Sequence, residues 1–551
     1  MENQKKKTND ILKQGTILAA ASILVRLIGM VYRIPLGNQL GEVGNGYYSI
    51  AYSIYSLALI ISSYGLPLAV SKMVADKNTK KEYKNSYKIF KNSLLFSIIV
   101  GALVGGIIFF GADFFAGLMK SPGSVKPLKV LAPTIFCVAM LGVFRGFFQG
   151  QNTMVPTAVS QILEQIVNAV VSIVAAYYFM KAQSGDTEKA IYGATGSTLG
   201  TFSGAAIAFV FFIGVFFLNL PILKKKMKRD KHPMDDNMDI YRILFATIIP
   251  VILSQTVYQL SGIVDQFLFG NIMATKNMSE QVRTAMLGVY SAQYSVLVSV
   301  PLGISTAMGT SMIPSIVSSV TKNDFHEVRH KIKSVVKFNM LIAFPSAVGL
   351  AVLGRPIIAM LFPNLITYQG VASSILLYGS SAIIFYALST VTSGVLQAIN
   401  QMRLPVIHSA ISLIIHVILV VFLLKFTNIG IYALVIGNVT FPLVVCILNW
   451  IAVGRHVNYN QEIKKTFLLP CCSSLIMGII CILVYKVFFM ILNGMIGSYV
   501  SNLIATVLAV GIGVLVYFVA LLLLKTMDEE ELKDMPMGRT LYEIGHKFHI
   551  I

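Results

Sequence analysis

The sequence predicts an all-α polytopic membrane protein with about fourteen transmembrane helices. Of its 551 residues, 56% are hydrophobic and only 12% are charged, and the mean hydropathy is +0.74. A soluble protein this apolar could not cover its surface with polar groups. Its apolar stretches run to about 20 residues or more, the length of a helical span. Most of the 44 Lys and Arg residues lie between those stretches.

A helical bundle is favoured over a barrel. Only helices and closed barrels satisfy backbone hydrogen bonds in lipid, and a barrel shows alternating segments of about ten residues. This chain has long continuous apolar stretches instead. The predicted spans are 12–36, 47–71, 92–119, 128–149, 155–180, 190–220, 241–270, 285–316, 336–354, 371–398, 404–425, 429–453, 466–492 and 500–524.

Charge predicts the orientation. If the N-terminus is cytoplasmic and the spans alternate, most Lys and Arg lie on the inner side, including those of 77–88, 224–231 and 330–337. Such an excess is typical of cytoplasmic loops. The even number of spans also places the tail inside. We therefore expect a multi-pass protein of the plasma membrane with both termini in the cytoplasm.

A weak internal repeat predicts the domain organisation. LPLAVS at 66–71 resembles IPSIVS at 313–318, and FFQGQNTMVPTAVS at 147–160 resembles VLQAINQMRLPVIHS at 395–409. Six spans followed by six similar spans predict a parallel repeat, with the substrate between the two halves. The predicted divisions are a lobe at 1–223, a basic linker at 224–239, a second lobe at 240–460, two extra helices at 461–525 and a cytoplasmic tail at 526–551.

Several function classes lack support in the sequence. The net charge of +20 suggests nucleic-acid binding, but membrane orientation explains the basic loops. The chain has no P-loop and neither the HExxH nor the GxSxG motif of hydrolases, so we expect no enzymatic activity. Its five cysteines form no disulfide framework or zinc spacing. His408 and His416 share one helix face, for which core polarity is favoured over a metal site. We expect no metal and no cofactor.

Two arginines in the first span are candidate ligands for phosphate. Arg26 and Arg33 lie seven residues apart, so they share one helix face about 10 Å apart along the axis. A charge at a helix centre costs about 2.5–3.5 kcal/mol on insertion scales and usually faces a cavity or partner. Guanidinium geometry suits a diphosphate. Alternatively, Arg33 extends to the outer surface and Arg26 pairs with a carboxylate.

Three later spans carry polar side chains along one helix face. The stripes are Gln161, Glu164, Gln165 and Asn168 in the fifth span; Ser254, Tyr258, Ser261 and Asp265, beside Gln255, in the seventh; and Tyr386, Thr390, Ser393 and Gln397 in the tenth. Together they suggest a hydrated cavity, although hydrogen bonding between helices is the alternative for the uncharged stripes. For Glu164 and Asp265 we favour a functional or ion-pairing role.

Several long strings resemble one protein family. VRLIGMVYRIPLGNQLGEVGNGYY at 25–48, GLPLAVSKMVADKN at 65–78 and FRGFFQGQNTMVPTAVSQILEQIVN at 144–168 resemble SpoVB/MurJ-type flippases of the multidrug/oligosaccharidyl-lipid/polysaccharide superfamily. EEELKDMPMG at 529–538 resembles the ending of the Gram-positive-type branch. The resemblance covers essentially the whole chain.

The resemblance implies a MATE-like fold of two six-helix lobes around a central cavity, with two C-terminal helices forming a groove for a lipid tail. It implies alternating access that carries lipid II, or a related undecaprenyl-diphosphate-linked sugar, to the outer leaflet. Arg26 and Arg33 match the first-span arginines, the latter one residue out of register. The best-studied branch has a carboxylate where this chain has Tyr47, and arginines where this chain has apolar residues near Ile60 and the segment YSAQYSV at 290–296.

The sequence thus predicts a flippase whose partners are an undecaprenyl-diphosphate-linked glycan and membrane lipids, acting as a monomer without nucleic acid. The coupling ion, if there is one, is H⁺ or Na⁺. Open alternatives are another lipid-linked oligosaccharide of spore cortex, capsule or teichoic type, a cation-coupled drug antiporter, a membrane-embedded enzyme and a scaffold. The candidate substrate-binding residues are Arg26, Arg33, Glu164, Gln165, Asn168, Gln255, Tyr258, Asp265, Gln293, Tyr386 and Gln397.

Overall fold

The computed structural model describes residues 2–526, apart from the side chains of 2–16, 19, 254, 257–258, 308–312 and 314. Within that part of the chain the secondary structure is helical, as predicted. Eleven helices are long and apolar enough to cross a membrane, or twelve if a pair bent by 44° (Gln369–Gly379 with Ala382–Ala398) forms one span. The chain is therefore a multi-pass membrane protein, whereas the count of fourteen spans stays a prediction.

The first two predicted spans lie in one long helical stretch. Residues 20–79 were counted as a single candidate span of 60 residues, about 90 Å at 1.5 Å per residue, against a hydrocarbon core of about 30 Å. The backbone leaves helical geometry at Gly41 (φ 69, ψ 174), after Pro35. A positive φ is accessible to glycine without steric cost, so Gly41 divides the stretch inside its first helix.

The chain separates into two compact units, residues 1–292 and 293–551. The first contains nine helices within the described residues. They are α1 Glu2–Ser63, α2 Leu66–Thr79, α3 Tyr83–Phe110, α4 Ala112–Leu118, α5 Val125–Gly150, α6 Val155–Lys181, α7 Asp186–Arg229, α8 Asn237–Thr275 and α9 Glu280–Gly288. Phenylalanines of α3, α5 and α7 stack in its core, where the Phe90 ring lies 4.6 Å from Phe147 and 5.0 Å from Phe216.

Three glycines on α7 allow very close packing against α6. A Cβ on Gly196 would lie 2.6 Å from the backbone of Ala175, and one on Gly204 would lie 2.5 Å from the carbonyl oxygen of Glu164. A Cβ on Gly200 would overlap the side chain of Ser172. This row of small residues on α7 is thus a packing surface. It fixes the backbone of α6 along the polar stripe.

A π-helical segment, Val289–Ser295, spans the boundary between the two units. The second unit continues through nine α-helices within the described residues. These are α10 Val296–Thr321, α11 Phe325–Val352, α12 Gly354–Leu361, α13 Gln369–Gly379, α14 Ala382–Ala398, α15 Arg403–Phe426, α16 Tyr432–Val457, α17 Leu469–Ile496 and α18 Ser498–Leu523. The last two helices pack on α11, where the Tyr517 hydroxyl donates to the carbonyl oxygen of Leu341 at 2.9 Å.

The compact units divide at a later residue than the predicted lobes, because α8 and α9 group with the first unit. The predicted lobe boundaries remain a hypothesis. Of the tail predicted at 526–551, the structure describes only residue 526. The two aligned turns of the repeat do share their geometry. Asn152 follows α5 with φ 59 and Asn400 follows α14 with φ 63. Asparagine tolerates this left-handed conformation better than most residues.

Candidate substrate-binding site

The polar stripe of α6 faces α1 within the first unit. A Cβ on Gly29 would lie 3.0 Å from the Nε2 atom of Gln165, so the amide lies directly against α1. Asn168 Nδ2 donates to the Tyr32 hydroxyl at 3.4 Å, and its Oδ1 accepts from Ser172 at 3.0 Å. The structure therefore brings two predicted candidates, Gln165 and Asn168, against the arginine-bearing helix.

Arg33 lies among tyrosines that the sequence analysis did not select. Its guanidinium lies near the side chains of Tyr32, Tyr48 and Tyr52. The Tyr48 and Tyr52 rings stack with centroids 5.6 Å apart, and Tyr55 continues the row 5.5 Å from Tyr52. The Arg33 side chain is nevertheless exposed. It is thus a cation held beside hydroxyls yet accessible to a ligand.

Arg26 lies on the same helix. Its side chain is exposed, like that of Arg33, and it precedes Arg33 by seven residues, or about two helical turns. The shared face of the two arginines stays a prediction. A ligand on Arg33 could extend along α1 to reach Arg26.

The carboxylate of Glu164 is paired with Arg145, which is not among the predicted site residues. Arg145 Nη2 lies 2.6 Å from Glu164 Oε2, and Arg145 Nε donates to Ser160 Oγ at 3.3 Å. The side chains are 15% and 30% exposed, respectively. Arg145 and Glu164 lie on consecutive helices joined by residues 151–154. The sequence signal for this ion pair was that both residues lie near the same short turn.

Helix α8 supplies further predicted candidates. Asp265 is buried with 3% exposure, and the adjacent Gln266 donates to Ser49 Oγ on α1 at 3.1 Å. Gln255, which precedes Asp265 on the same helix, is half-buried. The side chain of Tyr258 lies outside the described residues. Asp265 therefore occupies the interior of the first unit, close in sequence to a contact with α1.

Three candidates lie in the second unit. Gln293 is fully buried in the π-helical segment, and among the described residues neither of its amide atoms has a hydrogen-bond partner. Tyr386 accepts a hydrogen bond from Asn438 Nδ2 at 3.3 Å, and the Oδ1 of Asn438 accepts from Tyr294 at 2.9 Å. Gln397 is exposed near the end of α14.

The second unit also contains a neutral polar network. Asn449 Nδ2 donates to Thr392 at 3.2 Å and to Ser393 at 2.9 Å, while its Oδ1 lies 2.7 Å from Nδ1 of His408. In the sequence repeat, Ser393 aligns with Arg145 of the first unit. The second unit thus has the hydroxyl of Ser393 at the position where the first unit has Arg145, which is paired with Glu164.

The first unit has the chemistry of an anion-binding surface. Its arginines offer fixed positive charge, while tyrosine hydroxyls and amides offer further hydrogen bonds and aromatic rings suited to stacking on sugars. In the part of the chain that the structure describes, no group of three or more His, Cys, Asp and Glu could hold a metal ion. The arrangement suits recognition of a charged, polar headgroup.

Comparisons with known families cover most of the chain. Residues 11–320 match the family described as "Polysaccharide biosynthesis protein", and residues 250–422 match the MatE family. The "Lipid II flippase MurJ" of Bacillus subtilis (strain 168) is 26% identical over 86% of this chain and 88% of its own length. "Stage V sporulation protein B" of the same organism is 23% identical over 96% and 98%, respectively.

Solved structures show the same fold. "Lipid II flippase MurJ, inward closed conformation" superposes with a TM-score of 0.64 at 16% identity, covering 92% of this chain and 98% of that one. An inward-facing multidrug resistance MATE transporter also gives 0.64 at 15% identity, covering 82% and 99%. The MATE-like fold and the resemblance predicted from the sequence are confirmed. The chain belongs to the polysaccharide biosynthesis protein family, whose model matches more than half of its length.

Proposed function

We propose that this protein translocates an undecaprenyl-diphosphate-linked cell-wall precursor, lipid II, from the inner to the outer leaflet by alternating access. The single observation that carries the proposal is the surroundings of Arg33. An accessible guanidinium there lies near Tyr32 and beside the stacked rings of Tyr48 and Tyr52. A diphosphate joined to a sugar needs both features in one place.

The energetics favour such an assisted path. The free energy of moving an ionised group into hydrocarbon without a partner is far higher than that of moving a neutral group. A diphosphate therefore does not cross the bilayer unaided. Arg33 and Arg26 supply opposite charge, and guanidinium groups bind phosphate oxygens in a bidentate manner. The polyprenyl tail needs no such help because it remains in lipid.

The α6 stripe would form a second wall for the same headgroup. Gln165 lies against Gly29 of α1, and Asn168 is hydrogen-bonded to Tyr32, the same tyrosine that contacts Arg33. We assign Gln165 and Asn168 to hydrogen bonding with the sugar or the diphosphate. Glu164, which is neutralised by Arg145, would shape the wall rather than repel the substrate.

The names of the relatives support this substrate class. One curated relative is a lipid II flippase, and another is a stage V sporulation protein. The second name favours an alternative in which the cargo is another lipid-linked oligosaccharide, such as a spore-cortex precursor. Both alternatives use the diphosphate and the sugar, so both rely on Arg33 and its tyrosines.

Complementation tests the proposal. A bacterial host depleted of its own lipid II flippase would express the wild type, Arg33→Ala, Arg33→Lys or the control Arg455→Ala, which removes an exposed arginine of α16. Lipid II at the outer surface would be labelled from outside. We expect the wild type and the control to restore labelling, Arg33→Ala to fail at equal abundance and Arg33→Lys to restore it in part.

Failure of a well-expressed wild type would contradict the lipid II assignment. The same strains would then be assayed for other undecaprenyl-linked glycans. Drug resistance conferred by the wild type, without translocation of any lipid-linked glycan, would instead support a cation-coupled antiporter.

A further inference from the structure

A separate cavity of about 470 Å³ opens in the first unit where α2, α5 and α7 end. It shares no residue with the Arg33 site. Its walls come from the α2–α3 connection, the α5–α6 turn and the last turns of α7. These segments belong to the loops that charge assigns to the cytoplasmic side. The cavity therefore lies at the level where lipid headgroups meet the protein.

The lining is cationic and rich in hydrogen-bonding groups. Lys81 and Lys226 are its charged residues, and no carboxylate is among the lining side chains of the described chain. Its amides and hydroxyls belong to Asn78, Thr79, Tyr83, Gln151, Asn152, Thr153 and Asn219. Such a set binds an anion with several acceptor oxygens and would not attract a cation.

Its geometry is also anchored. Asn78 Nδ2 donates to the carbonyl oxygen of Gly150 at 3.4 Å, which ties α2 to the end of α5. Lys226 lies over the Tyr83 ring, 5.6 Å from the centroid, a cation–π contact that positions the ammonium group. The ammonium group of Lys226 on α7 is thus positioned by Tyr83 on α3.

The apolar side of the cavity continues into a lipid-facing surface. Phe147, Phe216 and Leu223 contribute to the lining. On α7, Ile222 is 58% exposed and Leu218 is 79% exposed. Exposed aliphatic side chains on a membrane helix contact acyl chains. A ligand with an anionic head and two acyl chains fits both surfaces.

We propose that this cavity binds the anionic headgroup of a membrane phospholipid, whose acyl chains lie along the exposed face of α7. Lys81 and Lys226 contact the phosphate, and the asparagine amides bind the remaining oxygens. This site is distinct from the proposed site of the transported substrate and does not depend on its identity.

Titration of the purified full-length protein in uncharged detergent tests the site. The probes are phosphatidylglycerol, phosphatidylcholine and inorganic phosphate, and the measurements are retained lipid by native mass spectrometry and thermal unfolding. The variant is Lys81→Gln/Lys226→Gln. The control, Lys224→Gln/Lys225→Gln, removes the same amount of charge from two exposed positions on α7 that lie outside the lining.

We expect phosphatidylglycerol to bind the wild type and the control equally, and the pocket variant roughly ten- to thirty-fold more weakly, at about 1 kcal/mol per lysine near the surface. Equal loss in both double variants would overturn the site, because diffuse surface charge would then explain binding. Equal binding of phosphatidylcholine, or equal stabilisation by inorganic phosphate, would overturn the assignment to an anionic lipid. Normal size-exclusion profiles for both variants would establish that they are folded.

Discussion

Arg145 and Glu164 form an ion pair inside the first unit, with Nη2 and Oε2 2.6 Å apart. The pair joins α5 to α6 just beyond the turn that connects them. It neutralises the acidic residue of the α6 stripe, directly opposite the packing surface that Gly204 provides on α7. Glu164 is therefore held by a partner on one side and by a helix backbone on the other.

Breaking this pair should destabilise the protein. Glu164→Leu leaves the Arg145 charge largely enclosed and unpaired, and Arg145→Met does the same to the carboxylate. We expect each single change to cost about 1–3 kcal/mol, below the 3–5 kcal/mol of fully buried pairs. The double variant should lose less than the sum of the two. Thermal unfolding in detergent measures this, and strictly additive losses would show that the residues do not interact.

Glu188→Gln is the matched control for that cycle. Glu188 is an exposed carboxylate near the start of α7, where solvent screens its charge. We expect its replacement to change stability by less than about 0.5 kcal/mol. A loss as large as that of Glu164→Leu would point to net charge rather than to the ion pair.

The crossing of α1 and α9 should not tolerate added side chains. A Cβ on Gly288 would overlap the carbonyl oxygen of Glu42, and one on Gly46 would overlap that of Thr284. Gly288→Ala should therefore cost about 1–3 kcal/mol by overpacking. Gly106→Ala, where no atom lies within 4 Å, should instead be neutral or stabilising. Unfolding midpoints compare the two, and equal effects would contradict the close crossing.

The linker after α7 should be sensitive to strong acid. Asp230 accepts hydrogen bonds from the backbone amides of Lys84 and His232, at 2.8 and 2.9 Å. Although burial opposes its charge, these bonds lower its pKa to about 2. A lowered pKa stabilises the fold above the ordinary carboxyl pKa, and this stabilisation is lost as the pH falls toward 2.

Asp230→Asn tests that account. We expect it to lower stability at neutral pH by on the order of 2 kcal/mol, because hydrogen bonds to a charged group are lost. The difference from the wild type should stay constant down to about pH 5 and shrink between about pH 4 and 2. Asp76→Asn, at an exposed helix position paired with Lys80, should show little effect. A pH-independent difference would mean that the carboxylate charge is not involved.

Replacing Gln293 would distinguish a structural role of this residue from a role in substrate binding. Both of its amide atoms are buried, and neither has a partner among the described residues. If it does not bind substrate, Gln293→Met should raise stability by about 1–2 kcal/mol and leave transport unchanged. If it binds the glycan during transport, stability should rise while surface labelling falls. A loss of stability would contradict its unpaired state.

The sequence predicted the architecture well because lipid imposes simple rules. Long apolar segments and basic loops were sufficient to predict a helical multi-pass protein. The segment predicted between the first two spans, 37–46, contains Gly41, where the backbone leaves helical geometry. The total of fourteen spans stays a prediction, because length and composition alone do not divide a continuous helical stretch into spans.

For the candidate site, the sequence could predict which residues share a face of one helix. Periodicity showed that Glu164 and Asn168 share a face, and the structure places that face against α1. Pairing between helices could not be deduced in the same way. Arg145 and the tyrosines beside Arg33 are not among the predicted site residues, because nothing in the spacing along their own helices distinguishes them from residues at a helix end or at the membrane interface. Contacts across helices, such as Asn168 with Tyr32, depend on packing that spacing does not determine.

The central claim is tested most directly with purified protein in liposomes that contain lipid II with a fluorescent sugar. A membrane-impermeant quencher added outside reports the fraction of lipid II in the outer leaflet over time. We predict that the wild type exposes inner-leaflet lipid II much faster than protein-free liposomes do, and that Arg33→Ala removes most of this acceleration. Identical rates for wild-type and protein-free liposomes, with the protein correctly inserted and folded, would contradict the claim.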